Sequence, residues 1–173
     1  MRDHGWLKAK HTFSFANYRN PKRMNFGVLR VLNDDTIQGG KGFPLHPHDN
    51  MEIITIPLAG SIYHKDNMGN ESKISSGDIQ VMSAGTGVYH SEFNANNTKD
   101  LKLLQIWLFT NRRDVNPRYQ QITLRNISVK NEARFPEDSP ALVVALPILL
   151  PSDFAKPAAS GIIKIANNAS FQF

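Results

Sequence analysis

Between residues 26 and 110 no stretch sustains an apolar repeat of helical period. Apolar segments are short instead, and turn signals interrupt them roughly every 8–12 residues. Residues 26–32, 51–58, 61–65, 79–82 and 101–109 are the predicted strands. Asn33-Asp34-Asp35, Asp66-Asn67-Met68-Gly69-Asn70 and Ser75-Ser76-Gly77-Asp78 have turn composition. This pattern predicts an all-β chain, a sandwich or barrel, and argues against βαβ units. Residues 5–25, rich in aromatics and Asn, read as an irregular arm or lid. After Asn111 the pattern changes. Asn116-Pro117 marks a turn, and residues 126–139 are polar and turn-prone. Residues 140–160 hold four of the ten prolines, each of which removes a ladder donor, so regular central strands are excluded there. Residues 161–165 are a last strand candidate.

The chain has no Cys. Disulfides, thiolate zinc sites and thiol catalysis are therefore excluded, and a tightly held metal must use His and carboxylate ligands. The six His stand at 4, 11, 46, 48, 64 and 90, with none in residues 91–173. In an extended chain, residues i and i+2 point to one face. His46-Pro47-His48 thus presents two imidazoles side by side, and Pro47 favours an extended His46. Glu52 follows four residues later, and Gly40 and Gly60 frame this block. A second block runs through Gly77, Gly85 and Gly87 to His90-Ser91-Glu92, where His90 and Glu92 share a face. Two adjacent strands of this kind bring two His from one, and a His and a carboxylate from the other, to one interior point. A lone His-x-His in a strand more often holds no metal. The two blocks together, in a strand-rich chain without Cys, point to a metal site. His64, before a hairpin loop, reads as a surface or supporting residue, and His11 as making a local hydrogen bond. Phe13, Phe15, Tyr18 and Phe26 read as core and barrel plug, and Trp107 and Phe109 as barrel wall.

Lys and Arg number 20 against 15 Asp and Glu, a net charge of +5 spread along the chain. Lys8, Lys10, Lys22 and Arg23 form a loose basic group that reads as a solvated face. Nothing has the organisation of a nucleic-acid motif. The longest apolar stretch, residues 141–150, contains Pro147 and falls short of the roughly 20 residues of a membrane span. The N-terminus lacks the apolar core of a signal peptide. A cytoplasmic protein with neither membrane nor nucleic-acid partner is expected.

Several motifs resemble the pirin family of the cupin superfamily, and within it the bacterial pirin-like quercetin 2,3-dioxygenases. They are His11-Thr12-Phe13-Ser14-Phe15-Ala16, Phe26-Gly27-x-Leu29-Arg30-Val31-x-Asn33-Asp34-Asp35, Gly42-Phe43-Pro44-x-His46-Pro47-His48, Met51-Glu52-Ile53, Met68-Gly69-Asn70, Met82-Ser83-Ala84-Gly85-Thr86-Gly87 and His90-Ser91-Glu92. The match runs from about residue 4 to Gln121. It implies a cupin barrel, a double-stranded β-helix with a metal in its mouth. It also implies ligation by His46, His48, His90 and Glu92, with Glu92 also acting as base. Glu52 competes for the carboxylate place. Parity does not separate the two, because all five positions are even-numbered. Glu92 is preferred, and Glu52 is assigned a supporting or buried hydrogen bond. The implied activity is oxidative ring opening of flavonol-type substrates with O₂. Fe(II) is the first choice of metal, and Cu, Ni, Mn, Co and Zn accept the same ligands. The alternatives are a non-catalytic, iron-binding regulatory protein of the pirin type, or a degenerate family member.

Pirin-like proteins usually carry two barrels. The expected division is therefore a cupin domain over residues 1–115 and a C-terminal extension over residues 116–173, a remnant of the second cupin. That extension is expected to pack on its own barrel or on a second copy, giving a homodimer.

Overall fold

A computed structural model of the 173-residue chain describes residues 1–124 and, as backbone strands alone, residues 141–143 and 164–166. Eleven strands occupy the first region: β1 (Arg2–Asp3), β2 (Leu7–His11), β3 (Leu29–Ile37), β4 (Gly42–His48), β5 (Met51–Ala59), β6 (Ser61–Asp66), β7 (Glu71–Ser75), β8 (Asp78–Ser83), β9 (Val88–Asn94), β10 (Leu101–Phe109) and β11 (Arg118–Thr123). They form a seven-stranded sheet, in the order β1-β2-β3-β10-β5-β8-β11, and a four-stranded sheet, β4-β9-β6-β7. No α-helix is present among the described residues. The all-β barrel of cupin type is therefore what forms.

By internal contacts the chain divides into Met1–Ser128 and Val129–Phe173. In the second unit β12 (Ala141–Val143) and β13 (Lys164–Ala166) pair antiparallel. Of the extension expected over residues 116–173, residues 116–124 fall in the first unit, where β11 pairs with β8, and all but β12 and β13 of the remainder lies outside the described residues.

The two sheets are joined by apolar side chains from both. Ile37, Leu101 and Leu103 of the larger sheet pack with Ile62 and Ile74 of the smaller one. A second cluster joins Ile53 and Met82 to Val88. Between these clusters the interior is polar. Residues directly opposite in neighbouring antiparallel strands point to the same side of a sheet. Asn33 faces Gln105, Gln105 faces Thr55, and Thr55 faces Gln80, so four adjacent strands carry one polar row. The adjacent row on the same face is apolar: Val31, Trp107, Ile53 and Met82.

Three expectations need correction. First, Asn33-Asp34-Asp35 is not the turn that ends a strand. β3 runs through it, and Val31, Asn33, Asp35 and Ile37 are buried in strict alternation. β3 is hydrogen-bonded on both sides, to β2 and β10, so pairing satisfies the backbone that a turn would otherwise bend. Second, the N-terminal arm is partly regular. Residues 7–11 are a strand, β2, whose Ala9 is buried. Third, Phe26 is 79% exposed and plugs nothing.

The motif turns behave as their composition demands. β6 and β7 form a hairpin around residues 67–70, and Ser76-Gly77 joins β7 to β8. Gly85 sits at φ +48°, and a Cβ there would lie 2.0 Å from the Val115 carbonyl oxygen, so no other residue fits without moving the chain.

Candidate metal centre

β4 and β9 build the wall that carries the histidines. Gly42 lets the strands approach closely: a Cβ at this position would lie 2.2 Å from the Glu92 carbonyl oxygen. A bulge between Phe43 and His46 resets the register, and His46 then stands directly opposite His90. The ring centres of His46 and His48 are 4.8 Å apart, those of His46 and His90 4.4 Å, and those of His48 and His90 4.9 Å. One ligand atom from each of the three comes within 4.8 Å of the other two.

Neighbouring groups settle which ring nitrogens are free. His46 Nδ1 lies 2.7 Å from the Pro44 carbonyl oxygen, to which it donates, leaving the Nε2 lone pair open. His64 Nε2 lies 3.1 Å from Asp66 Oδ2, and His64 Nδ1 lies 3.4 Å from His90 Nδ1. Asp66 also accepts from the backbone N–H groups of Met68 and Asn70 and from the Asn70 amide. Asp66 therefore takes the Nε2–H of His64. The free Nδ1 of His64 then accepts from His90 Nδ1–H, and His90 is left with an Nε2 lone pair. That nitrogen is buried with no hydrogen-bond partner. Such an orphaned acceptor is costly unless something else fills it.

The electrostatics favour neutral rings. Burial, reinforced by the neighbouring His46, pushes the His48 pKa down to about 4. Burial, then repulsion from His46, His48 and His64, pushes that of His90 to about 2. A neutral imidazole is the form a metal requires.

Glu92 is 2% exposed, and burial pushes its carboxyl up to about 7, against the hydrogen bonds that favour its charge. Gln105 Nε2 donates to Glu92 Oε2 at 3.1 Å, and the Thr55 hydroxyl stands 3.4 Å from Oε1 while donating to Gln105 at 2.9 Å. Ligand atoms of Glu92, His90 and His64 form a second group within 4.8 Å. His90 thus belongs to both groups. Glu52 belongs to neither: it accepts from Ser83 Oγ at 2.5 Å, while its strand neighbours Ile53 and Thr55 take the interior positions.

His46, His48 and Glu92 line a pocket of about 250 Å³. Phe15, Phe43, Pro44 and Trp107 supply its apolar walls. Trp107 packs edge-on against His48 at 4.8 Å and against Phe15 at 5.2 Å. Asn33, Asp35 and Gln105 complete the lining.

His64, open to a surface reading in the sequence, is fully buried. The Nδ1 of His11 makes no hydrogen bond, and its ring packs on Phe15 and Tyr18 instead. The sequence reading did not place Asn33, Asp35, Thr55 or Gln105 in the interior, and it took Asn33 and Asp35 for part of a turn. Their signal was present as polar residues at alternate positions of strands flanked by apolar ones.

The pirin family's sequence profile matches residues 1–108. The chain belongs to the pirin family. A quercetin 2,3-dioxygenase of Escherichia coli K12 is 51% identical over 119 residues, which are 69% of this chain and 52% of that protein. A pirin-like protein of Caulobacter vibrioides is 55% identical over 106 residues, 61% of this chain and 45% of that protein. The crystal structure of the bacterial pirin YhhW from E. coli in complex with nickel(II) is similar with a TM-score of 0.69 at 49% identity. The match covers 70% of this chain and 53% of that one. The chain spans about half the length of these curated relatives. Among the described residues no helix is long and apolar enough to cross a membrane.

Proposed function

We propose that this pirin-family chain is a metal-dependent dioxygenase that opens flavonol-type substrates with O₂. His46, His48, His90 and Glu92 hold one divalent transition metal, with Fe(II) the first choice. The observation that carries this reading is the buried, partnerless Nε2 of His90, gathered with the imidazoles of His46 and His48 beside an aromatic pocket. Three nitrogens and one carboxylate suit a first-row divalent ion and leave coordination positions open. The metal supplies the redox and Lewis-acid chemistry that the side chains lack. The names of the relatives and the nickel complex of YhhW support the same class.

The protein's own groups supply binding and proton transfer. Phe15, Phe43 and Trp107 offer a planar aromatic molecule apolar surface and exclude water. Glu92, held by Gln105, is the carboxylate placed to take the hydroxyl proton of a substrate.

The test is anaerobic loading of the 173-residue chain with Fe(II), followed by quercetin and O₂. Quercetin-dependent oxygen uptake with carbon monoxide release is the expected result. Full iron occupancy without such uptake would remove the enzyme and leave a metal-binding regulator.

A further inference from the structure

The wall of the pocket contributed by β3 holds two polar side chains that the proposed chemistry does not use. Asn33 is 2% exposed and Asp35 is 4% exposed, and both line the pocket. The Oδ1 atoms of both are buried with no hydrogen-bond partner. Strand alternation places them on one face, about 6.6 Å apart along β3. Other interior polar groups are paired, Glu92 with Gln105, Thr55 with Gln105, and Asp66 with His64 and Asn70, while Gln80 and the Trp107 Nε1 also lack partners. Two adjacent orphans that border a cavity are groups in want of a ligand.

Resting on the flavonol-type reading above, we propose that Asn33 and Asp35 form a hydroxyl-recognition subsite. It takes the phenolic hydroxyls of an aromatic substrate at the part of the molecule away from the reacting group. The chemistry favours hydroxyls over other polar groups. A carboxamide both donates and accepts, as a hydroxyl does. A ligand ammonium would meet the positive charge of a metal in the same pocket, whereas a neutral hydroxyl does not. Burial, then the nearby charges of Asp34 and Glu92, pushes the Asp35 carboxyl up to about 7, so it presents a proton or accepts one at small cost. The aromatic lining fits the ring that bears the hydroxyls.

The experiment is equilibrium binding to the full chain loaded with Zn(II), under argon, so that no turnover enters. Quercetin is compared with 3-hydroxyflavone, which keeps the reacting hydroxyl and lacks the others. The unmodified protein should bind quercetin tighter by about tenfold or more, because a site built to hydrogen-bond hydroxyls rejects the analogue without them. In Asp35→Leu and Asn33→Leu the preference should fall to about threefold or less, with zinc content retained. Equal affinities of the two flavonols for the unmodified protein overturn the subsite, even if Asp35→Leu fails to fold. So does an undiminished preference in folded variants, or no binding of either flavonol. Selective binding without oxygen uptake in the iron-loaded protein would instead sink the dioxygenase and leave the subsite standing.

Discussion

The pocket has two walls of different construction. On one, β4 and β9 present His46, His48 and His90, three rings within about 5 Å of each other, and burial keeps His48 and His90 neutral. On the other, β3 and β10 present Asn33, Asp35 and Gln105 from the middle of a central pair of strands. The histidine wall is braced from behind: Pro44 orients His46, and the Asp66–His64 pair orients His90. Most of the opposite wall is not braced, since only Gln105 is tied in. The difference teaches where each kind of specificity resides. Ligands for an ion must be fixed before it arrives, whereas groups that read a substrate stay open until it does.

This contrast can be broken or sharpened by substitution. The largest effect is expected at His46→Ala, which removes a proposed ligand from the braced wall. Stoichiometric metal should be lost after dialysis, as read by elemental analysis, and full retention would overturn the ligand assignment.

Next comes Asp35→Asn on the unbraced wall. Burial holds the folded Asp35 pKa near 7, above its ordinary value of 3.8, and the negative neighbours Asp34 and Glu92 add to this. Below pH 4 both states carry the proton and no stability is lost. As pH rises from about 4 to 7, the unfolded chain releases its proton first, so the folded state is progressively disfavoured, by up to about 4 kcal/mol. Asp35→Asn should therefore raise the melting temperature of the apo protein above pH 7 and change it little at pH 4. A pH-independent difference would show that the carboxyl is not desolvated as described.

Gly42→Ala attacks the histidine wall without touching a histidine. Its Cβ would press on the backbone at Glu92 and Phe93, and separation of β4 from β9 should cost about 3 kcal/mol in urea unfolding and weaken metal binding. Unchanged metal affinity in this variant would mean that the β4–β9 spacing does not set the site. The smallest effect is expected at His64→Gln, where the fold persists because Asp66 keeps its bonds from Asn70 and Met68. Metal affinity should fall about 10–100-fold by competition with a chelator, and no change would separate His64 from the orientation of His90.

Much of this was written in the chain. The strand segments 79–82 and 101–109 lie within β8 and β10, and the loops at 67–70 and 76–77 fall where turn residues cluster. The absence of Cys left only His and carboxylates as ligands, and the spacings His46-x-His48 and His90-x-Glu92 put each pair on one face of a strand. These are local consequences of strand alternation and backbone preference, and no distant contact is needed to read them. The tertiary structure alone decided the rest. Asn33-Asp34-Asp35 has turn composition and becomes a central strand because β2 and β10 pair with it on both sides. Glu52 and Glu92 have the same parity, yet only Glu92 lines the pocket, because register between strands chooses which face of each is interior. His64 and Asp66 matter only because β6 pairs with β9, setting His64 opposite Glu92 and Asp66 opposite His90. Side-chain alternation is a property of one strand, whereas register is a property of two, and it is register that placed these groups.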